Sequence, residues 1–155
     1  MPLTLRYMRF GEGKKLAALL HKSVHTLCRE AYSPEELEAW APEKMDMVKF
    51  SASLRKSVNW VAEEDGRPVG FICVERDGYV NRLYTHPDYT NRGVATALLE
   101  TAITWAKKKK LKRIFLSASK IGYGFYVKKG FHVCGIERIE RRGTVFENKV
   151  MEKYI

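Results

Sequence analysis

Apolar residues change their spacing several times along this chain, and each change marks an element. Leu3 to Met8 alternates as an edge strand does, and Leu16, Leu19, Leu20, Val24 and Leu27 then recur at helical spacing behind Gly13. Ser33-Pro34-Glu35-Glu36 has the layout of a helix start, with Ser33 as N-cap, Pro34 in the first turn and Glu36 closing a capping box. That short second helix is expected to end near Pro42. Met47, Phe50 and Leu54 predict a third helical piece before the strand-like Trp60-Val61-Ala62-Glu63.

Asp65-Gly66 and Asp77-Gly78 each separate two apolar runs and predict hairpin turns, hence an antiparallel meander. A two-residue loop at Asp77-Gly78 sets Arg76 against Tyr79, Val74 against Asn81 and Ile72 against Leu83. Tyr79, Asn81, Leu83 and Thr85 then share one face of the strand Tyr79 to Thr85. Val80, Arg82 and Tyr84 share the other, with Glu75 in diagonal reach of Arg82 as an ion-pair partner. Ala95, Leu98, Leu99, Ala102, Ile103 and Ala106 form a helical stripe that packs on this sheet. Ile114-Phe115-Leu116 reads as a buried strand, and a short helix around Tyr123 to Lys129 ends at Gly130. Phe131 to Ile139 and Val145 to Tyr154, joined by the Arg142-Gly143 turn, complete an α/β (α+β) pattern. The sequence contains no internal repeat, linker or low-complexity tract.

The 155 residues, 45% of them hydrophobic, fit one domain spanning 1–155. Cys28, Cys73 and Cys134 cannot all pair internally, and the N-terminus lacks the basic-then-apolar layout of a secretory signal, so a reducing cytoplasm is the expected setting. No apolar run nears the roughly 20 residues a bilayer span needs, so no membrane partner is expected. Net charge is +10 with a pI of about 9.6, which raises nucleic acid as a partner. Much of that excess is Lys107, Lys108, Lys109, Lys110, Lys112 and Arg113 at the end of a helix, where cations suit the dipole, and no nucleic-acid motif accompanies it.

Thr90-Asn91-Arg92-Gly93-Val94-Ala95-Thr96 joins a strand to the helix beginning near Gly93. Such a junction suits a pyrophosphate: Gly93 lets backbone approach a ligand, the first N–H groups and the positive dipole end favour an anion, and Arg92 adds charge. This loop resembles the phosphate loop of the GCN5-related N-acetyltransferase superfamily, which runs Gln or Arg, any, any, Gly, any, Gly or Ala. Phe125-Tyr126-Val127-Lys128-Lys129-Gly130-Phe131 is similar to its later signature, an aromatic pair, a short basic spacer and Gly-Phe. Tyr32-Ser33-Pro34-Glu35-Glu36-Leu37 to Trp40-Ala41-Pro42, Arg82-Leu83-Tyr84-Thr85-His86-Pro87 and the stretch from Arg142-Gly143 to Lys153 further resemble a bacterial group of small, mostly uncharacterised N-acetyltransferases. Thr90 departs from the usual Gln or Arg, and Ser119 stands where many members have Asn.

The resemblance implies a mixed, mostly antiparallel sheet of six or seven strands flanked by about four helices. It implies a ternary complex of acetyl-CoA and an amine, with direct transfer, no covalent enzyme intermediate and no metal. The strands Tyr79 to Thr85 and Ile114 to Ser119 would splay, with main-chain groups of Leu83 and Thr85 pairing with the pantetheine arm. The N–H of Tyr84 would polarise the thioester. Backbone of Thr90, Asn91, Arg92, Gly93, Val94, Ala95 and Thr96 would hold the phosphates, with Ser119, Tyr126 and Lys129 completing the cofactor site and Lys128 or Lys129 near the nucleotide end. Tyr126 would protonate the leaving thiolate, against the plainer reading of a core aromatic.

The family's usual base positions fall on Tyr79 and Asn81, neither a convincing base. His25 on the first helix is the remaining candidate, against an ordinary helix His. His21, His25 and Cys28 share one helical face at metal-ligand spacing, but a fourth ligand is missing and no metal is expected. Tyr32, Trp40 and Trp60 are candidates for the acceptor pocket, and Ser119 for a helix cap. A CoA-binding sensor without turnover is the alternative function. Strand edges near the C-terminus offer a route to a homodimer.

Overall fold

The computed structural model describes residues 2–155. Along the chain run β1 (Thr4–Tyr7), α1 (Gly13–Leu27), α2 (Pro34–Trp40), α3 (Met47–Arg55), β2 (Ser57–Glu64), β3 (Arg67–Glu75) and β4 (Tyr79–Thr85). After a 3-10 turn at Pro87–Tyr89 come α4 (Val94–Lys108), β5 (Arg113–Ala118), α5 (Tyr123–Lys128), β6 (His132–Arg141) and β7 (Thr144–Tyr154). The strands make one seven-stranded sheet in the order β1-β2-β3-β4-β5-β7-β6, antiparallel throughout except for the parallel β4–β5 pair. Among the described residues five α-helices flank it, in keeping with the about four implied by resemblance.

Local signals act as the sequence predicts. The Ser33 hydroxyl accepts from the Glu36 amide at 3.1 Å while the Glu36 carboxylate accepts from the Ser33 amide at 2.8 Å, a closed capping box. The Asp46 carboxylate, a cap the sequence reading did not name, starts α3 by accepting from Val48 and Lys49 amides. Two apolar layers cover the sheet. Leu98, Leu99, Ala102 and Ala106 of α4 pack on Ile72, Val74, Val80, Ile114 and Leu116. Leu16, Leu20 and Val24 of α1 pack with Phe50 and Leu54 of α3 on Val61, Phe71 and Cys73.

The β3–β4 hairpin departs from expectation in a way that shapes the cleft. Gly78 N–H donates to the Glu75 carbonyl at 3.0 Å, so Arg76 joins Asp77 and Gly78 in the loop. Ile72 faces Leu83 as expected, but Val74 faces Val80 rather than Asn81, because the register shifts between Cys73 and Val74. Asn81 is the extra residue of a β-bulge, and a bulge turns the faces on either side of it out of step. Val80 and Leu83 therefore both join the α4 layer, while Arg82 and Tyr84 point toward α1 and α3. Glu75 accordingly accepts from Asn81 Nδ2 at 3.1 Å instead of pairing with Arg82, whose guanidinium lies 4.7 Å above the Phe50 ring.

Candidate functional site

Parallel pairing between β4 and β5 is confined to Tyr79 with Phe115 and Val80 with Leu116. Beyond the bulge the strands part, and the gap widens into a cleft of about 720 Å³ running from the start of α4 to α2. Backbone polarity along its β4 wall follows from register. His86 N–H donates to the Val69 carbonyl at 2.8 Å, and in an antiparallel ladder every second pair exchanges bonds in this way. Tyr84 with Phe71 is such a pair, so the Tyr84 amide is directed at β3. The Tyr84 N–H is thus not the cleft-facing donor the resemblance implies; main-chain groups of its neighbours Leu83 and Thr85 face the cleft.

The α4 end of the cleft is an amide cradle. Asn91 (φ +60°) and Gly93 (φ +82°) hold left-handed conformations that fold the loop under the helix. The first helical bond is Ala97 N–H to the Gly93 carbonyl, at 2.9 Å, and no side chain caps the end, so the amides of Val94, Ala95 and Thr96 are open to an anion. A Cβ on Gly93 would meet no heavy atom within 4 Å, so its glycine is required by φ and by whatever approaches from the cleft, not by protein packing. These features fit a coenzyme's diphosphate.

Leu83, Tyr84, Thr85, Thr90, Asn91, Gly93, Val94, Ala95, Thr96, Ser119, Tyr126 and Lys129, all anticipated, line the cleft. Arg92 does not: its side chain, 60% exposed, turns outward to Glu64 at 3.9 Å and over the Tyr89 ring at 5.0 Å. The Thr90 hydroxyl folds back onto the Pro87 carbonyl at 3.4 Å. Ser119 accepts from the Gly122 amide at 3.2 Å and so organises the entry of α5, which carries Tyr126.

Two phenols line the cleft. Trp40 Nε1 donates to the Tyr84 hydroxyl at 3.0 Å, and burial pushes the Tyr84 phenol above its ordinary range. The Tyr126 phenol is also raised, by burial first and by Tyr84 second, so it is fully protonated at neutral pH. Cys28, also in the wall, is pushed up to about 11 by burial and is a thiol rather than a thiolate.

His25 is absent from this cleft. Its Nε2 lies 2.7 Å from the Ala41 carbonyl and its ring stacks on His21 at 4.0 Å, which places it on the outer side of α1, away from the phenols. The helical spacing that made it a candidate base did not show which side of α1 faces the cleft. Glu38, not Cys28, joins the two histidines, with ligand atoms within 4.8 Å of one another. That trio is one donor short of the usual closed zinc site. Trp60 is also removed from the acceptor candidates: it is 5% exposed and packs between Tyr7 and Trp105. Tyr32 and Trp40 remain, joined by Phe146, with ring centroids 5.4 to 6.2 Å apart. The sequence reading missed Arg141, Phe146 and Asn148 of β6 and β7, which reach the cleft only because β7 inserts between β5 and β6.

A splayed parallel pair, an uncapped helix mouth and a protonated phenol between them define an acyl-CoA-dependent transferase. A family model for the acetyltransferase (GNAT) domain matches residues 28–153. The chain is 33% identical over 149 residues to the uncharacterized N-acetyltransferase YafP of Escherichia coli K12, covering 96% of this chain and 94% of that one. A GCN5-related N-acetyltransferase structure from Rhodopseudomonas palustris superposes with a TM-score of 0.95 at 28% identity, over 100% of this chain and 97% of that chain. The PaiA N-acetyltransferase of Thermoplasma acidophilum, solved in complex with coenzyme A, superposes with a TM-score of 0.83 at 24% identity over the whole of both chains. The chain belongs to the GNAT acetyltransferase family, and its activity is acetyl-CoA-dependent N-acetylation.

Proposed function

We propose that the cleft carries out direct acetyl transfer with Tyr126 as the general acid, and that the observation carrying this is the half-buried, protonated Tyr126 phenol in a cleft whose other end is an amide cradle. The amides of Val94, Ala95 and Thr96 hold the diphosphate, Lys128 and Lys129 lie toward the nucleotide, and Leu83 and Thr85 pair with the pantetheine amides as an added strand would. A main-chain N–H of β4 beside the bulge steadies the developing oxyanion. The amine nitrogen bonds to the acetyl carbon, the carbon–sulfur bond breaks, and Tyr126 gives its proton to the sulfur. Cys28 at about 11 and Cys73 at about 12 stay protonated, which supports transfer without an acyl-cysteine. Among the described residues no Asp, Glu or His lines the cleft, so the amine loses its proton to solvent. Thiol release from acetyl-CoA across an amine panel tests the reading.

That same lack of a base favours one second reading, a CoA-binding sensor without turnover. CoA binding with no thiol release from any amine at any pH selects it. We further propose a reducing cytoplasmic setting, supported by the free thiols of Cys28, Cys73 and Cys134; among the described residues no helix is long and apolar enough to cross a membrane. The outer edge of β6, with Val133 and Ile136 exposed, is the surface on which two copies would pair, and light scattering on the eluted protein checks it.

A further inference from the structure

We infer that the acceptor is a small amine that also carries a carboxylate, held by Arg82 and Arg141. The inference rests on the acetyltransferase reading above and concerns what the cleft selects.

Charge in the cleft is one-sided. Its charged lining side chains are Arg82, Arg141, Lys128 and Lys129, with no carboxylate among the described residues there. The lysines sit on α5 and its C-cap, whereas Arg82 is on β4 with Tyr84 and Arg141 ends β6. Both arginines line the cleft with Tyr84, whose hydroxyl Trp40 holds, and their positive charge offsets part of the upward push that burial gives its phenol. A ligand in this chamber meets two cations beside the reacting centre.

Residues of the same cleft carry unpartnered polar atoms. Among the described residues, Arg82 Nη1, Asn81 Oδ1 and Ser117 Oγ are buried without a hydrogen-bond partner, and all three residues line the cleft. The remaining two such atoms, Arg6 Nε and Glu63 Oε2, lie 3.2 Å apart as an ion pair elsewhere. A buried guanidinium N–H with no acceptor is costly, and a carboxylate is the group whose geometry matches it. Asn81 Oδ1 and Ser117 Oγ offer the acceptors an amine N–H needs. The donor for the acid and the acceptors for the amine are thus both present.

Above them, Tyr32, Trp40 and Phe146 form an apolar wall for the body of the molecule. A polyamine fits this arrangement poorly. Its second ammonium would face two guanidiniums with no carboxylate to receive it, and like charges in a closed site cost several kcal/mol. An α-amino group flanked by a carboxylate satisfies both halves of the chamber.

Phenylalanine, phenylalaninamide, phenethylamine and spermidine are the probes, read by thiol release from acetyl-CoA. Removing the carboxylate is expected to lower kcat/KM by about 30-fold, the loss that follows when the buried Arg82 N–H is left without its charged partner. Spermidine should be the poorest of the four. In Arg141→Gln, an exposed position, and in Arg82→Gln, the preference of phenylalanine over its amide should shrink toward unity. Phenethylamine or spermidine matching phenylalanine overturns the inference, as does an Arg141→Gln variant that loses acetyl-CoA affinity instead of carboxylate preference. A second readout needs no turnover: N-acetylphenylalanine should bind the CoA-saturated protein more tightly than its amide, and equal binding refutes the carboxylate site. Failure to bind CoA at all refutes the acetyltransferase reading instead.

Discussion

Gly93 and Gly66 make a matched pair for separating backbone strain from ligand contact. Both are left-handed, at φ +82° and φ +74°, and an added Cβ meets no heavy atom within 4 Å at either. Alanine at each position bears the same left-handed penalty, about 1–2 kcal/mol. Unfolding entropy of about 2.1 cal/mol/K per residue makes each kcal/mol worth about 3 °C for a chain of this length, so both variants should melt about 3–6 °C below the parent. Their responses to CoA should differ. At one hundred times its dissociation constant a ligand adds about 2.7 kcal/mol, or about 8 °C by the same conversion. Gly66→Ala, in the β2–β3 hairpin, should keep that full rise. Gly93→Ala, with a methyl at the amide cradle, should lose most of it, and calorimetry should show the weaker binding directly. If Gly93→Ala retains the same CoA-dependent rise as Gly66→Ala, the loop does not hold the diphosphate and the cleft has been read in the wrong place.

Other consequences are equally direct. Tyr126→Phe should cut turnover by about 100 to 10,000-fold with CoA affinity preserved, measured by initial rates beside calorimetry. His25→Asn should leave initial rates unchanged, since the imidazole binds Ala41 on the outer side of α1. The raised phenols of Tyr84 and Tyr126 lend stability that is present below the unfolded value near pH 10 and lost as pH rises beyond it. Denaturant titrations should therefore show the fall above pH 10, and a shallower one in Tyr126→Phe. Glu12, held below its usual range chiefly by its hydrogen bond to Arg6, lends stability that is lost as pH drops through the carboxylate range under 4.5, a loss Glu12→Gln should abolish.

Local order reads directly from the sequence where one residue type has one physical use. The Ser33–Glu36 capping box, the Asp65-Gly66 and Arg142-Gly143 turns and the apolar stripe of α4 depend on neighbours within a few positions, and each forms as its spacing predicts. The β4 bulge is different. Val74 pairs with Val80 because the loop is one residue longer than Asp77-Gly78 alone demands, the extra Asn81 restores the expected register from Cys73 and Arg82 onward, and no single residue announces that choice. Reading the hairpin without its bulge put Glu75 in diagonal reach of Arg82, whereas Glu75 bonds Asn81. His25 and Arg92 failed for a related reason: a helix face or an exposed loop shows which residues share a side, not what that side confronts. Arg141, Phe146 and Asn148 reach the site only through the long-range insertion of β7 between β5 and β6.

The central claim is that coenzyme lies between the parted strands with its diphosphate on the first turn of α4. Residue-resolved hydrogen exchange with and without CoA measures this at the atoms concerned. The amides of Leu83, Thr85, Val94, Ala95 and Thr96 should slow sharply on CoA addition while Gly66 is unaffected. Unchanged exchange at those five amides, with CoA shown by calorimetry to be bound, would contradict the account.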